Sequence, residues 1–390
     1  MDLPTLSYRE VPQTVGPADA RCIPGVSKGF WSASSTPLRI RRMPAFTVRQ
    51  RYVILRLLRM QFNLRNGQSH FILFLHPYVS QESLLKDVVD RMTKEIRKVV
   101  VGQDDAVQLA LCAATVGGHI LIEGVPGVAK TLFANTLART MALTFKRTQF
   151  TPDMEPSDVT GKMGPGQLGT VFHRGPVFTN ILLADEVNRT PPHTQAALLE
   201  AMQEHQVTVA GETHILPEPF LVIATQNPLN HAGTYPLPVS QLDRFLLRIQ
   251  MDYPSEDEEV EILALEHHGV IPATLMDVAT SITGADLLEA RRVVDVTNVS
   301  PEMLRWIARL VQATRSATEF ELGASPRSAV HLLAAAKAHA RMEDRDQVTA
   351  DDVERVVLPV LGHRVVPAQD ANSRTDAALR RLLVETRPLN

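Results

Sequence analysis

The sequence predicts an α/β fold: a parallel five-stranded sheet sandwiched between helices, followed by a second, all-helical domain. Three observations carry that prediction. Continuous apolar runs bounded by turn signals recur at His119–Glu123 (HILIE), Ile181–Ala184 (ILLA) and Phe220–Thr225 (FLVIAT), the texture of strands buried on both faces of a parallel sheet. Helical stretches alternate with them, as the layers of an α/β domain require. After Pro254 such runs stop, while helix-start signals keep recurring.

Taken in order, Leu84–Val99 reads as a helix with charges interleaved, Val100–Gln103 (VVGQ) as a linker, and Asp104 as the cap of a helix running to Thr115. The strand His119–Glu123 leads through a Gly/Pro-rich turn into a helix from Lys130 to Met141. Thr144–Phe150 suits a second strand, Pro192–Glu204 a helix, and Leu246–Met251 the fifth strand. The glycines and alternating residues of 164–178 suit a hairpin. Ser255 with Glu258 three residues on is a capping-box signature. Further helices are expected at about 284–293, 301–317, 327–341 and 349–360, with Pro301, Pro326 and Thr349 at their starts.

Length and charge divide the chain. Its 390 residues fit two or three domains at roughly 150 residues each. Residues 1–85 hold 11 Lys and Arg against 4 Asp and Glu, a balance of +7, whereas residues 86–390 hold 29 against 39, a balance of −10. The first 83 residues, with scattered Pro and Gly, read as an Arg-rich disordered extension; a weak partner-binding tail is the next reading. Within it, Arg51–Arg65 can form a short basic amphipathic helix. The expected boundaries are 84–254 for the α/β domain, 255–370 for the helical domain and 371–390 for a C-terminal tail. Two cysteines, Cys22 and Cys112, cannot build a disulfide framework, which points to a reducing, cytoplasmic compartment. No window approaches the run of about 18 apolar residues that spans a bilayer. Cys112 sits in an apolar helix and reads as core. His267–His268 is an adjacent pair, a spacing poorly suited to a metal.

The chemistry concentrates in five places. Gly124–Thr131 (GVPGVAKT) follows a strand and opens a helix, as a phosphate-binding loop does. Backbone N–H groups at a helix N-terminus favour an anion, Lys130 reaches β- and γ-phosphates, and the Thr131 hydroxyl suits Mg²⁺. Ala129 stands where a glycine is usual and lacks glycine's freedom at positive φ. Ile181–Glu186 (ILLADE) ends an apolar strand in two acids: Asp185 suits Mg²⁺ through water, and Glu186 can polarise an attacking water. Asn227, just past the strand Phe220–Thr225, can orient water near a γ-phosphate, although an Asn-Pro pair alone marks a turn. Arg244 in LDRF can stabilise charge on a transferring phosphoryl group; a surface ion pair with Asp243 is the plainer reading, and Arg248 is a weaker competitor. Arg327 in GASPRS sits near a helix start, where an arginine is ordinarily solvated.

In that order these motifs resemble an AAA+ ATPase, and more specifically the MoxR family. The matching stretches are VVVGQ, GVPGVAKT, QFTPDMEPSDVTG (149–161), LLADEVNRTPPHTQAALLEAMQE (182–204), ATQNP, YPLPVSQLDRFLLR (235–248) and GASPRSAVHLLAAAKAHA (323–340). The resemblance covers about 86–365. It implies an αβα P-loop AAA+ nucleotide-binding domain with a helical lid, an insertion at 149–171, and ATP and Mg²⁺ as cofactors.

By resemblance, Val101, Gly102 and Gln103 lie against the adenine. The loop residues Gly124, Val125, Pro126, Gly127, Val128, Ala129, Lys130, Thr131 and Leu132 hold nucleotide, and Thr131 and Asp185 face the metal. Lys130, Glu186, Asn227, Arg244 as a finger acting on the neighbouring subunit, and Arg327 as the lid's sensor carry catalysis. Asn188 and Arg189 link nucleotide state to a neighbour or simply cap a helix. The resemblance further implies a hexameric ring, a client protein complex to remodel, and often a partner with a von Willebrand factor A domain. Two other classes stay in view. One is a DNA-directed motor of the same superfamily, disfavoured by the −10 balance since phosphate binding wants basic patches. The other is a non-catalytic nucleotide-binding scaffold, disfavoured by the intact Lys130, Asp185 and Glu186.

Overall fold

The computed structural model describes residues 60–65, 68–73, 83–125, 127–166, 169–226, 234–265, 267–268, 271–272, 278–368 and 375–388. The chain divides into two compact units, Met1–Pro77 and Tyr78–Asn390. In the first, Met60–Arg65 pairs antiparallel with Gln68–Leu73. The C-terminal part of the expected helix Arg51–Arg65 is therefore a strand. Its residues MQFNLR alternate in polarity, a period-2 pattern that favours a strand over a helix. Residues 51–59 lie outside the described residues.

The second unit carries the predicted sheet. Its strands are β1 (Ile120–Gly124), β2 (Phe145–Gln149), β3 (Ile181–Asp185), β4 (Leu221–Gln226) and β5 (Leu247–Met251). They are all parallel, in the order β5-β1-β4-β3-β2. Composition explains the order. The apolar strands β1, β3 and β4 take the centre, where both faces are covered, and the polar FKRTQ of β2 takes an edge.

Alternate residues feed two cores. Ile120, Ile122, Ile181, Leu183, Leu221 and Ile223 join one, while Leu121, Leu182, Ala184, Val222 and Ala224 join the other. That is the period of two expected of a doubly covered sheet. Helices α1 (Ser83–Arg97), α2 (Asp104–Val116) and α3 (Lys130–Thr140) supply the first core, and α4 (Pro156–Thr160) and α5 (Pro192–Glu204) the second.

Two hairpins leave the sheet layer. Gly161–Gly166 pairs with Gly169–Arg174, a hairpin that starts three residues before the expected 164–178 and runs past the end of the expected insertion, and Gln206–Val209 pairs with Glu212–Ile215, a hairpin the sequence does not predict. Phe172 of the first stacks on His214 of the second at 4.1 Å between ring centroids.

After the short α6 (Val239–Leu242) and β5, helices dominate: α7 (Glu256–Ala264), α8 (Gly284–Asp295), α9 (Pro301–Ser316), α10 (Pro326–Met342), α11 (Ala350–Leu361) and α12 (Thr375–Thr386). Several of their starts carry side-chain caps, among them the capping box expected at Ser255. Ser255 and Glu258 close a reciprocal capping box, as do Thr349 and Asp352, and Ser300 and Ser325 each accept an N–H of the first turn.

Two expectations need correction. Strands do not stop at Pro254: Phe320–Leu322 pairs with Val366–Pro367, and His267–His268 with Ile271–Pro272. Residues 371–390 are not a mere tail. They contain α12, which buries Ala378, Leu379, Leu382 and Leu383, while Trp306 Nε1 of α9 donates to Thr386 Oγ1 at 3.1 Å. Apolar burial at i, i+1, i+4 and i+5 is the stripe of a packed helix. The helical region shares one core with the sheet's first face, running from Ile120 through Trp306 and Leu332 to Leu379.

Candidate functional site

Parallel strands bring their C-terminal ends to one edge, where loops can gather chemistry. The register aligns Gln149 with Asp185, Gln226 with Glu123, and Met251 with Gly124. Gly124 is required there by space, since a Cβ would lie 2.5 Å from the Met251 carbonyl oxygen. The loop then turns at Gly127 (φ 92°), beside open space, and at Ala129 (φ 59°, ψ 25°), immediately before α3. Ala129 thus holds the left-handed conformation that its side chain disfavours.

Lys130 opens α3, and its Nζ donates to the Gly124 carbonyl at 2.7 Å. Burial lowers the pKa of its amine, and the charges of Asp185 and Glu186 pull it back up. The helix N-terminus, the half-buried ammonium and the neighbouring Thr131 hydroxyl form a cradle suited to a polyphosphate and its cation. Val128 is buried beneath the loop, and Val125 and Leu132 pack against the core. Pro126 lies outside the described residues. The linker Val101–Gln103 runs beside the entry to the helical domain: Gln103 Nε2 reaches the Asp252 carbonyl at 3.4 Å, and Gly102 (φ 72°) abuts the Glu258 carboxylate.

The two acids are held by a network that sequence reasoning missed. Asp185 is buried; its Oδ1 accepts from Thr225 Oγ1 at 2.6 Å, and its Oδ2 accepts from Arg147 Nε and Nη2 at 3.1 and 2.7 Å. Glu186 adopts φ 56°, and its N–H donates to the same Thr225 hydroxyl at 2.9 Å. Its Oε2 accepts from Gln149 Nε2 and from Arg189 Nη1, each at 2.9 Å. Arg189 therefore touches the acid pair directly, and Asn188 is buried beside it. The available signals were a hydroxyl closing an otherwise apolar run, FLVIAT, and the unbroken polar stretch KRTQ along β2.

Asn227 lies outside the described residues. Arg244 follows α6, but the expected competing pair with Asp243 is replaced by other partners. Asp243 accepts from Ser325 Oγ at 3.1 and 3.0 Å and from Ser328 Oγ at 3.3 Å, and Arg364 Nε lies 3.4 Å from its Oδ1. Arg364 is buried and also donates to the Phe245 and Leu246 carbonyls. Burial lowers its pKa to about 10, against the pull of Asp243. This junction fastens the first turn of α10, where exposed Arg327 sits between Ser325 and Ser328, to the residue preceding Arg244. No ion pair among the described residues joins Arg244 or Arg327 to Asp185 or Glu186, whose cationic partners are Arg147 and Arg189. Arg248 pairs with Glu123 at 3.3 Å.

Comparison with known proteins agrees with this geometry. Residues 119–247 match the ATPase family associated with various cellular activities (AAA), and residues 312–382 match an AAA lid domain. The chain is 42% identical over 284 residues to the uncharacterized protein YeaC of Bacillus subtilis, covering 72% of this chain and 88% of that one. It is also 42% identical over 296 residues to the chaperone MoxR1 of Mycobacterium tuberculosis, covering 73% and 77%. A solved protein from Cytophaga hutchinsonii superposes with a TM-score of 0.73 at 39% identity, covering 80% of this chain and 97% of that one. The phosphate-loop cradle, the paired acids on β3, the parallel sheet with its helical lid and these relatives together establish that the chain belongs to the MoxR family of AAA+ ATPases.

Proposed function

We propose that the protein hydrolyses ATP with Mg²⁺ as a hexameric ring and uses the cycle to remodel a client protein complex. The observation that carries the chemistry is the placement of Asp185 and Glu186 within electrostatic reach of Lys130, beside a loop built for phosphates. Lys130, the N–H groups of the 124–131 loop, Thr131 and Asp185 would hold the nucleotide and its cation. Bound there, Mg²⁺ would offset charge on the phosphates. Glu186 would accept a proton from water, while Gln149 and Arg189 hold its carboxylate through Oε2. Val101–Gln103 would line the base, Asn227 would orient the water, and Arg327 would report nucleotide from the lid.

The ring assignment rests on Arg244. No ion pair ties it to the chain's own acids among the described residues, and an arginine so placed suits a phosphate held by the next subunit. The relative named a chaperone supports protein remodelling, as does the −10 balance of residues 86–390. A partner carrying a von Willebrand factor A domain and a cytoplasmic location belong to the same reading. No helix among the described residues is long and apolar enough to cross a membrane.

Mixing tests the trans arrangement. Lys130→Ala and Arg244→Ala proteins should each be inactive alone and regain turnover when mixed. Confirmed mixed rings without recovered turnover would exclude a finger acting between subunits.

A further inference from the structure

Strand β2 lies at the sheet edge, and residues two apart on a strand share a face. Arg147 and Gln149 are such a pair. The register sets Arg147 opposite Leu183 and Gln149 opposite Asp185, so the long Arg147 side chain reaches forward to the acid. Two of its three donor nitrogens, Nε and Nη2, go to one oxygen, Asp185 Oδ2, at 3.1 and 2.7 Å. Gln149 Oε1 accepts from the same Nη2 at 3.0 Å and steadies the guanidinium. With Thr225 on Oδ1 at 2.6 Å, both carboxylate oxygens of Asp185 are engaged.

The two halves of this pair differ in freedom. The Asp185 side chain is 12% exposed and fixed by Thr225, whereas the Arg147 side chain is 47% exposed on an edge strand. A half-exposed guanidinium can leave for solvent at small cost. A buried carboxylate cannot lose its cation without a replacement. Mg²⁺ is a hard cation that seeks carboxylate oxygens, directly or through its waters. It would therefore compete with the guanidinium for the same oxygen.

We propose that Arg147 is a latch on Asp185, which holds this carboxylate until a hydrated magnesium ion displaces the guanidinium. The inference rests on the reading of Asp185 as the acid facing the metal. Arg147 is on this account a positioning residue that sets the magnesium concentration at which nucleotide is bound.

A purely structural pair predicts the opposite effect of its removal. If Arg147 only keeps Asp185 in place, losing it weakens the metal site. The test measures binding of a fluorescent ATP analogue to the full chain across a MgCl2 titration and in EDTA, for wild type, Arg147→Gln and Arg147→Lys. The latch predicts that Arg147→Gln lowers the half-saturating Mg²⁺ concentration by about three- to tenfold, the scale of losing a charge-assisted contact. Affinity in EDTA stays within about twofold on the same scale. Arg147→Lys, with one donor group instead of a fork, falls between and carries the test if Arg147→Gln does not fold. An unchanged or raised half-saturation, with wild-type binding intact, overturns the latch alone. A wild type that binds no nucleotide at any Mg²⁺ concentration overturns the nucleotide reading and the latch with it.

Discussion

Ala129 shows how a single residue can carry strain at a working loop. Its φ of 59° is a conformation that glycine adopts freely and alanine does not. Replacing it with glycine relieves roughly 1 kcal/mol of steric cost, partly offset by the larger entropy of the unfolded chain. Ala129→Gly is therefore expected to leave the urea midpoint equal or raised, by up to about 1 kcal/mol in free energy. A clear loss of stability would mean that the methyl group contributes packing that its exposed position does not suggest. Thr225 acts on the same scale. One hydroxyl donates to Asp185 and accepts from the Glu186 N–H, and so sets the relative positions of both acids.

At the scale of elements, the junction of α6, β5 and α10 binds the lid to the sheet through Asp243. Removing that carboxylate leaves Arg364 buried without its counter-charge, a loss of about 3–5 kcal/mol by the usual cost of breaking a buried pair. Asp243→Ala should lower the unfolding free energy by that order, and Ser325→Ala, which removes a helix cap, by about 1 kcal/mol. Denaturant titration of the two variants checks the ranking; equal losses would show that Arg364 finds another partner.

Much of this level was legible in the residues. Apolar runs revealed β1, β3 and β4 because those strands are covered on both faces. Ser255, Pro301, Pro326 and Thr349 marked helix starts because caps are local chemistry. The hairpin at 206–215 was not legible, since its short strands QVTV and ETHI lack an apolar run. Nor was α12, whose packing role shows only once it meets the Trp306 side of α9. In the site, the loop and the two acids were contiguous motifs. Arg147, Gln149 and Thr225 were not, because their roles exist only once parallel register brings three strands together.

For the molecule as a whole, one core joins sheet and lid, and two buried histidines and the half-buried His331 are expected to make it acid-sensitive. His119 Nδ1 accepts the Val222 N–H at 3.0 Å and its Nε2 lies 3.0 Å from the Met202 carbonyl, so the ring is held neutral. Burial depresses its pKa to about 4, and burial with the nearby Arg364 charge depresses His331 to about 3 and His363 well below its ordinary range. The unfolded chain therefore binds protons that the folded chain refuses. Stability is complete above the unfolded value near 6.5 and falls as pH drops towards the folded values. For His119 alone the loss approaches roughly 3 kcal/mol. Unfolding free energies measured from pH 7.5 to 4.5 should fall continuously below about pH 6.5; a flat profile would show that these rings protonate without cost.

The central claim is that the acid pair on β3 serves the phosphate loop as a hydrolytic centre. The most direct test is MgATP turnover by assembled protein, with nucleotide affinity measured in parallel, for wild type, Lys130→Ala and Glu186→Gln. The account predicts measurable wild-type turnover, loss of binding in Lys130→Ala, and retained binding in Glu186→Gln with turnover reduced by about a hundredfold or more. Wild-type-like turnover in Glu186→Gln, or no turnover in assembled wild type that binds MgATP, would contradict it.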